Sequence, residues 1–315
     1  AWGEPRAALH PVVWIGKYLQ VCGGIATSCR PTMAFLLGAF FWWLGVAGVL
    51  ALTWGLQALV MHLLLRGGGI AHVFDRPDLP FFAGLVLFAV VACLLKTTFS
   101  WRMLRAEGAA VEAALQQSLD AARSRLAMLV SRDTTQLSKS EVRESAIESL
   151  AENLNDSVVA PIFWFVLFGL PGAAVYRFAN TADAMWGYRG FRQGVQWEWA
   201  GKWAAHADDV LSWVPARITA LLLLLAAWDF VAFSRLAAEA RKTPSPNSGW
   251  PMAAMALALD VCLRKPEVYT LNSSGRPPLA VDVGLAIGLA SRVMAMIVWS
   301  VVALAVLKIV MVVFQ

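Results

Sequence analysis

The sequence predicts an all-α, polytopic integral membrane protein. It has about five apolar segments, one of them broken or re-entrant, and a helical insertion at the membrane surface. Hydrophobic residues make up 59% of the 315 residues and charged residues only 15%, whereas a soluble domain is normally about 25% charged. The unbroken apolar runs reach the roughly 20 residues that a helix needs to cross a bilayer. We expect a single membrane domain over residues 1–315.

The five apolar runs cover residues 31–65, 79–99, 158–179, 215–233 and 283–314. Pro161 and the pair Pro171-Gly172 interrupt the third run and leave two arms that are each too short to span a bilayer. Broken helices are tolerated at membrane depth where they line a cavity. We therefore predict a kinked or re-entrant element in this run.

Residues 101–157 form the predicted extramembrane insertion, which contains two helical patterns. Residues 101–131 place apolar side chains, among them Val111, Leu115 and Leu126, at amphipathic helical spacing. Ser138 and Glu141 have the spacing of a capping box, which marks the start of a helix. A second helix should therefore run from about Lys139 to about Leu154.

This second helix carries an acidic stripe. Glu144, Glu148 and Glu152 follow each other at intervals of four residues, and Asp156 continues the same register, so a helix stacks them on one face. Like charges at this spacing destabilise a helix. Two interpretations stay open: an exposed acidic surface, or a site for a cation such as Mg²⁺ or a protonated amine.

Polar residues also cluster beside the later apolar runs. Asn180, Asp183 and Tyr188 lie in one short motif after the broken run. Asp208 and Asp209 are adjacent carboxylates, which either cap a helix or bind a metal ion.

Two further features suggest anion binding. Arg217 either extends its charge toward the membrane surface or binds phosphate or carboxylate through its planar guanidinium. Ser245 and Asn247 precede a helix predicted over residues 252–263, where they either form a plain N-cap or help to hold an anion.

Several function classes are disfavoured by the composition. The formal net charge of +5 is explained by Lys and Arg beside membrane segments, so we expect no nucleic-acid partner. The four cysteines form no Cys-x-x-Cys pair, which argues against a zinc site or a disulfide framework. The sequence has no Gly-x-x-x-x-Gly-Lys-Ser/Thr motif, so any nucleotide must be held by other means.

A series of motifs carries a resemblance to a known family. In chain order they are Gly3-Glu4-Pro5, His10-Pro11-Val12, Ser131-Arg132-Asp133-Thr134, Glu148-Ser149-Leu150-Ala151-Glu152-Asn153, Gly169-Leu170-Pro171-Gly172-Ala173, Asn180-Thr181, Asp208-Asp209-Val210, Pro215-Ala216-Arg217, Ser245-Pro246-Asn247 and Gly249-Trp250-Pro251-Met252. Over roughly residues 3–282 the sequence resembles the cobalamin-biosynthesis adenosylcobinamide-phosphate synthase family.

The resemblance implies a multi-pass ligase of the bacterial inner membrane. Such an enzyme joins adenosylcobyric acid to aminopropanol or its O-phosphate through an amide bond, with ATP as co-substrate and Mg²⁺ as the expected cofactor. The implied partners are the corrinoid, aminopropanol phosphate and the lipid bilayer. Other late enzymes of the pathway, or further copies of the chain, are open as partners.

For this reaction we expect three groups of site residues. The expected catalytic residues are Glu152, Asp156, Asp183 and Asp209. The expected substrate-binding residues are Arg132, Asn153, Asn180, Tyr188, Arg217, Ser245 and Asn247. The expected metal ligands are Glu148, Glu152, Asp208 and Asp209. Trp186, Trp197, Trp199 and Trp203 either line a cavity for the corrin ring or form an interfacial belt.

Two other functions are considered. The first is a membrane sensor or scaffold related to the β-lactamase-induction family, without catalysis. The second is a transporter, which would need ionisable residues inside its spans. Most carboxylates of this sequence lie at the ends of the apolar runs, which favours an active site at the membrane surface.

Overall fold

A computed structural model of the chain describes residues 10–66, 79–130 and 132–313. The motif at residues 3–5 and Ser131 lie outside the described residues. The helices are α1 (Pro11–Thr27), α2 (Pro31–Arg66), α3 (Leu79–Thr97), α4 (Trp101–Gln117), α5 (Leu119–Leu126), α6 (Lys139–Leu154), α7 (Ala160–Trp186), α8 (Lys202–Ala227), α9 (Phe233–Ala240), α10 (Gly249–Ala258) and α11 (Ala280–Val313). A π-helical turn, Asn155–Val159, lies between α6 and α7.

Within the described ranges, the strands form two short antiparallel hairpins. Strand β1 (Phe191–Arg192) pairs with β2 (Val195–Gln196), and β3 (Leu263–Lys265) pairs with β4 (Tyr269–Leu271). The predicted all-α class is confirmed. The sequence of residues 267–280 predicts a loop, and this prediction is wrong because the stretch contains strand β4.

Five helical segments of the described residues are long and apolar enough to cross a membrane. They are Pro31–Leu63, Val86–Gln117, Lys139–Trp186, Lys202–Ala227 and Ala280–Ala303. The count agrees with the five apolar runs of the sequence. The chain is therefore a helical protein with the composition of a multi-pass membrane protein.

The chain divides into two compact units whose segments alternate along the sequence. The first unit contains Ala1–Phe99 and Ala160–Leu211, and the second contains Ser100–Val159 and Ser212–Gln315. Helix α8 contributes residues to both units.

The first unit is built around α1, α2 and α7. Its core contains Leu19 from α1, Trp42 and Val46 from α2, and Phe178 and Trp186 from α7. The indole Nε1 of Trp186 donates to the carbonyl oxygen of Leu19 at 3.1 Å, so this buried polar group is satisfied within the core.

Helix α7 is interrupted at Gly169, whose φ of 68° and ψ of −156° are not helical. That backbone conformation is essentially restricted to glycine. The interruption precedes Pro171, and the Leu170 N–H donates to Oε1 of Gln57 on α2 at 2.9 Å. The predicted break in the third apolar run is thus confirmed. Whether this element re-enters the membrane stays a prediction.

Helix α8 begins at Lys202 and ends at Ala227, so the predicted span of residues 215–233 is wrong at both ends. Pro215 lies inside the helix, although proline has no N–H to donate to the carbonyl four residues earlier. That carbonyl belongs to Leu211, and it accepts a hydrogen bond from Trp164 Nε1 at 3.1 Å. A side chain of α7 therefore supplies the donor that Pro215 lacks.

In the second unit, α4, α5 and α6 pack around Val111, Leu115, Leu126, Val142 and Ala146, as the amphipathic pattern predicts. The single helix predicted over residues 101–131 is wrong. Ser118 is extended and its hydroxyl accepts from the Ala121 N–H at 3.1 Å, so it ends α4 and caps the start of α5.

The boundaries of α10 also differ from the expected helix over residues 252–263. The helix begins at Gly249, which places Pro251 in its first turn, where proline is tolerated. It ends at Ala258, and Asp260 has a φ of 50°. A left-handed residue of this kind terminates a helix, and strand β3 follows.

Candidate active site

Helix α6 has the predicted boundaries and the predicted capping box. The Ser138 hydroxyl accepts from the Glu141 N–H at 3.3 Å, and the Glu141 carboxylate accepts from the Ser138 N–H at 2.7 Å. These bonds satisfy two of the free donors at the helix start. They fix the first turn of the helix that carries the acidic stripe.

The first carboxylate of the stripe, Glu144, has no exposed surface. It accepts hydrogen bonds from Arg264 on strand β3, from Nη2 at 2.9 Å, from Nε at 3.2 Å and from the backbone N–H at 2.9 Å. This pair holds the β3–β4 hairpin against α6. The contacts of Glu144 therefore give it a structural role.

The second carboxylate, Glu148, is 3% exposed and pairs with Arg132, whose Nη2 lies 2.6 Å from Glu148 Oε2. Among the described residues, Glu148 Oε1 and Arg132 Nη1 are buried without a hydrogen-bond partner. Most buried polar atoms in proteins are paired, so each exception needs an explanation. Both atoms are therefore candidates for contact with a bound ligand.

The third carboxylate, Glu152, lines a cleft of ≈ 170 Å³ together with both members of this ion pair. The other polar residues of the cleft are Ser145, Ser149, Asn153, Lys265 and Tyr269. The Asn153 amide donates to the carbonyl and hydroxyl oxygens of Ser149 at 2.9 and 3.3 Å. The cleft thus brings together four of the predicted site residues, namely Arg132, Glu148, Glu152 and Asn153.

Tyr269 of strand β4 was not singled out by the sequence. Burial, and then the nearby Glu148 carboxylate, raise the pKa of its hydroxyl above the ordinary value. The hydroxyl therefore stays protonated at neutral pH and can act as a donor. Lys265 was also missed. The signal for both residues lies in tertiary structure, because each is more than 100 positions from α6 in sequence.

Asp156 does not continue the register of the stripe as expected. It lies on the π-helical turn Asn155–Val159, where the α-helical period does not hold. Its Oδ1 accepts from the Asn155 amide at 2.8 Å, and Thr219 donates to Asn155 Oδ1 at 3.0 Å.

Arg217, Asn247 and Ser245 form a second group in the same unit. Arg217 donates to Asn247 Oδ1 at 2.8 Å and to the Pro246 carbonyl at 3.0 Å. The Ser245 hydroxyl accepts from the backbone N–H groups of Asn247 and Ser248, both at 3.2 Å. Asn247 thus contacts both Arg217 and Ser245, and the Ser245 hydroxyl acts as a turn cap.

The remaining candidates belong to the first unit. Arg177, which is 8% exposed, donates from Nε at 3.1 Å and also from Nη2 to the Thr98 carbonyl. Its Nη1 lies 3.4 Å from Asn180 Oδ1, and the Asn180 amide lies 3.5 Å from Asp208 Oδ1. Two predicted residues, Asn180 and Asp208, thus contact each other directly, and Arg177, which sequence reasoning missed, contacts Asn180.

Asp208 and Asp209 lie inside α8, six and seven residues after its first residue Lys202. The suggestion that they cap a helix is therefore wrong. Asp209 is half-buried and lies within electrostatic range of His206 and Arg189.

Asp183 and Tyr188 lie at the end of α7. The Asp183 carbonyl accepts from the Gly187 N–H at 2.7 Å. The Tyr188 hydroxyl donates to the Ala184 carbonyl at 2.7 Å, and the Arg192 guanidinium lies 3.7 Å from the centre of the Tyr188 ring.

Of the four tryptophans expected around a corrin cavity, Trp203 lines a large apolar cavity of ≈ 810 Å³ in the first unit. Its other aromatic walls include Trp42, Trp43, Trp54 and Trp164. Trp186 is buried in the core, and Trp199 is exposed beneath the Lys202 ammonium at 4.8 Å.

No group of three His, Cys, Asp or Glu side chains in the described ranges has the arrangement of a metal site.

These features define a class: a helical, multi-pass membrane protein with a charged cleft beside α6. The model of the CobD/Cbib protein family matches residues 1–290. The chain therefore belongs to the CobD/Cbib family, which confirms the resemblance stated above.

Named relatives agree with this assignment. A probable cobalamin biosynthesis protein CobD from Methanothermobacter thermautotrophicus is 38% identical over 277 residues, or 86% of this chain and 82% of that protein. The corresponding protein of Pyrococcus abyssi is 37% identical over 295 residues, covering 93% and 88%. A cobalamin biosynthesis protein CobD from Dehalococcoides mccartyi is 35% identical over 285 residues, covering 88% and 84%. No solved structure matches the chain.

Proposed function

We propose that this protein joins adenosylcobyric acid to aminopropanol, or to its O-phosphate, through an amide bond in an ATP-dependent step of cobalamin biosynthesis. Family membership and the names of the relatives support a role in cobalamin biosynthesis. The observation that carries the catalytic proposal is the cleft in which Glu152 lies beside the buried Arg132–Glu148 pair.

The chemistry explains why such a cleft is needed. An unactivated carboxylate is a poor acyl donor, so the propionate of the corrinoid takes a phosphoryl group from ATP and becomes an acyl phosphate, with release of ADP. The neutral amine then attacks the acyl carbon, the C–O bond to phosphate breaks, and a proton leaves the nitrogen. A carboxylate within reach of that nitrogen acts as the general base.

Glu152 is our candidate for this base, because its side chain lines the cleft beside the Arg132–Glu148 pair. Glu152 and Glu148 would also bind and orient the ammonium form of the amine before its proton is lost. Arg132 holds Glu148 in place and offers its unpaired Nη1 to an anionic substrate group.

The donor set of the cleft fits Mg²⁺ in the way that nucleotide-dependent enzymes bind it, through one or two carboxylates plus substrate phosphates. Glu148 Oε1 and the Glu152 carboxylate would hold the ion. When bound, Mg²⁺ neutralises phosphate charge.

The roles expected for the other candidates stay proposals. Asp156, Asp183 and Asp209 are proposed as catalytic residues, and Asp208 with Asp209 as metal ligands. Asn180, Tyr188, Arg217, Ser245 and Asn247 are proposed to bind substrate, directly or by ordering the backbone around it.

We place the protein in the cytoplasmic membrane, because the relatives include archaeal proteins. The bacterial inner membrane is a narrower proposal for its location.

A turnover assay on purified, detergent-solubilised protein tests the proposal. The assay contains adenosylcobyric acid, aminopropanol phosphate, Mg²⁺ and ATP, and the corrin product is followed by mass. Product that depends on both ATP and Mg²⁺ is the expected result. Corrin binding without product would instead favour a carrier, and absence of both binding and product would favour the sensor or scaffold.

A further inference from the structure

The β3–β4 hairpin is fixed beside the acidic helix by an ion pair between Arg264 and the buried Glu144 carboxylate. Glu144 has no exposed surface and accepts from the backbone and side chain of Arg264, the middle residue of β3. A carboxylate that holds both the main chain and the guanidinium of one residue leaves the strand little freedom to shift.

This attachment determines where the next residue of β3 lies. Lys265 is directly opposite Tyr269 in the hairpin register, so the two side chains lie on the same face. Both residues line the cleft that contains Arg132, Glu148 and Glu152. The hairpin therefore contributes an ammonium group and a phenolic hydroxyl to one wall of the cleft.

The cleft is lined by two cationic side chains, Arg132 and Lys265. Arg132 pairs with Glu148 through Nη2, and its Nη1 is buried without a partner among the described residues. Lys265 has no ion pair within the part of the chain that the structure describes. Tyr269 lines the same cleft, and its hydroxyl lies 3.8 Å from the Met252 sulfur, a weak acceptor, so it can supply a third donor.

We propose that Lys265 and Tyr269, together with Arg132, bind a phosphate group of a substrate. A guanidinium, an ammonium and a hydroxyl from residues that line one small cleft are the donors that phosphate recognition uses. The carboxylates of Glu148 and Glu152 in the same cleft favour a phosphate that arrives with a divalent cation or an ammonium group. This assignment rests on the proposed function, in which phosphate groups come from the nucleotide or from a phosphorylated amine.

Kinetic constants of two variants distinguish these sources. Lys265→Gln removes the ammonium and Tyr269→Phe removes the hydroxyl. Lys139→Gln is the matched control, because Lys139 is exposed, lies on α6 and does not line the cleft. KM and kcat are measured for ATP, for aminopropanol phosphate and for aminopropanol.

For Lys265→Gln we expect a rise in KM of about tenfold or more for the phosphorylated substrate that occupies the cleft, as for the loss of one charged hydrogen bond. A smaller rise is expected for Tyr269→Phe. If the nucleotide is that substrate, the KM for ATP rises with either amine. If aminopropanol phosphate is the substrate that occupies the cleft, the KM for aminopropanol phosphate rises, while the KM for aminopropanol is unchanged. Unchanged KM values for every substrate in both variants would overturn the subsite and leave the proposed function standing.

A binding measurement separates the subsite from the reaction. Inorganic pyrophosphate with Mg²⁺ is titrated into wild-type protein, Lys265→Gln and Lys139→Gln by calorimetry at one fixed salt concentration. Binding that weakens about tenfold in Lys265→Gln, but not in Lys139→Gln, supports the subsite even if the turnover assay yields no corrin product. Equal binding by all three proteins counts against it.

Discussion

Arg264 donates to the Glu144 carboxylate from both its guanidinium and its backbone N–H. Glu144 is the first of three carboxylates spaced four residues apart on one helix. At this spacing their negative charges repel one another. The structure relieves this repulsion with cations from other parts of the chain: Arg264 at Glu144 and Arg132 at Glu148. The third carboxylate, Glu152, shares its cleft with Lys265. The three carboxylates of the acidic stripe therefore differ in their surroundings, because each lies near a different cationic side chain.

Loss of the Glu152 carboxylate should abolish condensation without unfolding the protein. Glu152→Gln keeps the size of the side chain but removes the base and the negative charge. We expect turnover to fall by at least about 100-fold, with an unchanged melting temperature in detergent. Asp120→Asn, at an exposed acid of α5, serves as the control and should have wild-type turnover. Near-normal turnover of Glu152→Gln would refute its assignment as the base.

Asp209 of α8 is tested in the same assay. Asp209→Asn should also abolish turnover and keep the protein folded, because the side chain is half-buried beside polar groups and changes little in size. Glu198→Gln, at an exposed acid of the same unit, is the control. If Asp209→Asn condenses the substrates at the wild-type rate, its predicted roles as catalytic residue and metal ligand are both excluded.

Breaking the Arg132–Glu148 pair should destabilise the protein strongly. Glu148→Gln leaves the Arg132 guanidinium in a buried position without its counter-charge, which typically costs about 3–5 kcal/mol. The expected result is a large drop in melting temperature, partly reversed when Arg132→Met is added. By contrast, Asp120→Asn breaks the exposed pair with Arg123 and should leave the melting temperature unchanged. Equal stability of the two single variants would contradict the prediction.

Gly169 should not tolerate a side chain. Its φ of 68° and ψ of −156° suit glycine alone, and an added Cβ would lie 2.4 Å from Gln57 Oε1. We expect Gly169→Ala to cost about 1–3 kcal/mol, measured by thermal unfolding in detergent. Gly48→Ala on α2 is the control, because its Cβ would meet nothing within 4 Å. If Gly169→Ala and Gly48→Ala have the same melting temperature, the backbone at the kink can adjust to a side chain and the prediction is wrong.

Stability should fall in acid partly through Glu239 on α9. Burial alone would raise the pKa of Glu239, but hydrogen bonds from Lys242 and from the Asn272 N–H outweigh it and hold the pKa below its ordinary value. Since the folded state favours the charged form, the stabilisation is complete above the ordinary carboxyl pKa. It is lost as the pH falls through the lowered value.

The measurement is the melting temperature between pH 7 and pH 3. Glu239→Gln should be less stable than wild type at neutral pH and should lose less stability on acidification. Lys242→Gln should reproduce part of the same change, because it removes one of the bonds that lower the pKa. Parallel pH profiles for wild type and Glu239→Gln would rule out this contribution.

Local signals in the sequence were sufficient to predict much of the fold. The capping box at Ser138 and Glu141 gave the start of α6, because capping chemistry acts within one helical turn. The break near Pro171 was likewise visible, since proline and glycine limit the backbone locally. The start of α8 was missed, because Trp164 compensates for Pro215 from a distant part of the chain.

The candidate site was less accessible to sequence reasoning. Helical spacing placed Glu144, Glu148 and Glu152 on one face, but it could not show which carboxylate Arg264 would bind. Arg264 is 120 positions from Glu144. Lys265, Tyr269 and Arg177 reach their partners only through tertiary packing, so no local pattern distinguishes them from ordinary surface or core residues.

The contact between Gln57 and Leu170 makes one amide proton a reporter of helix docking. In a continuous helix, slow hydrogen–deuterium exchange of an amide reflects the stability of that helix. The Leu170 N–H instead donates to a side chain of α2, so its protection lasts only while α2 and α7 stay packed. Faster exchange at Leu170 in a detergent, with its neighbours still protected, would show that the two helices have separated before either has unwound.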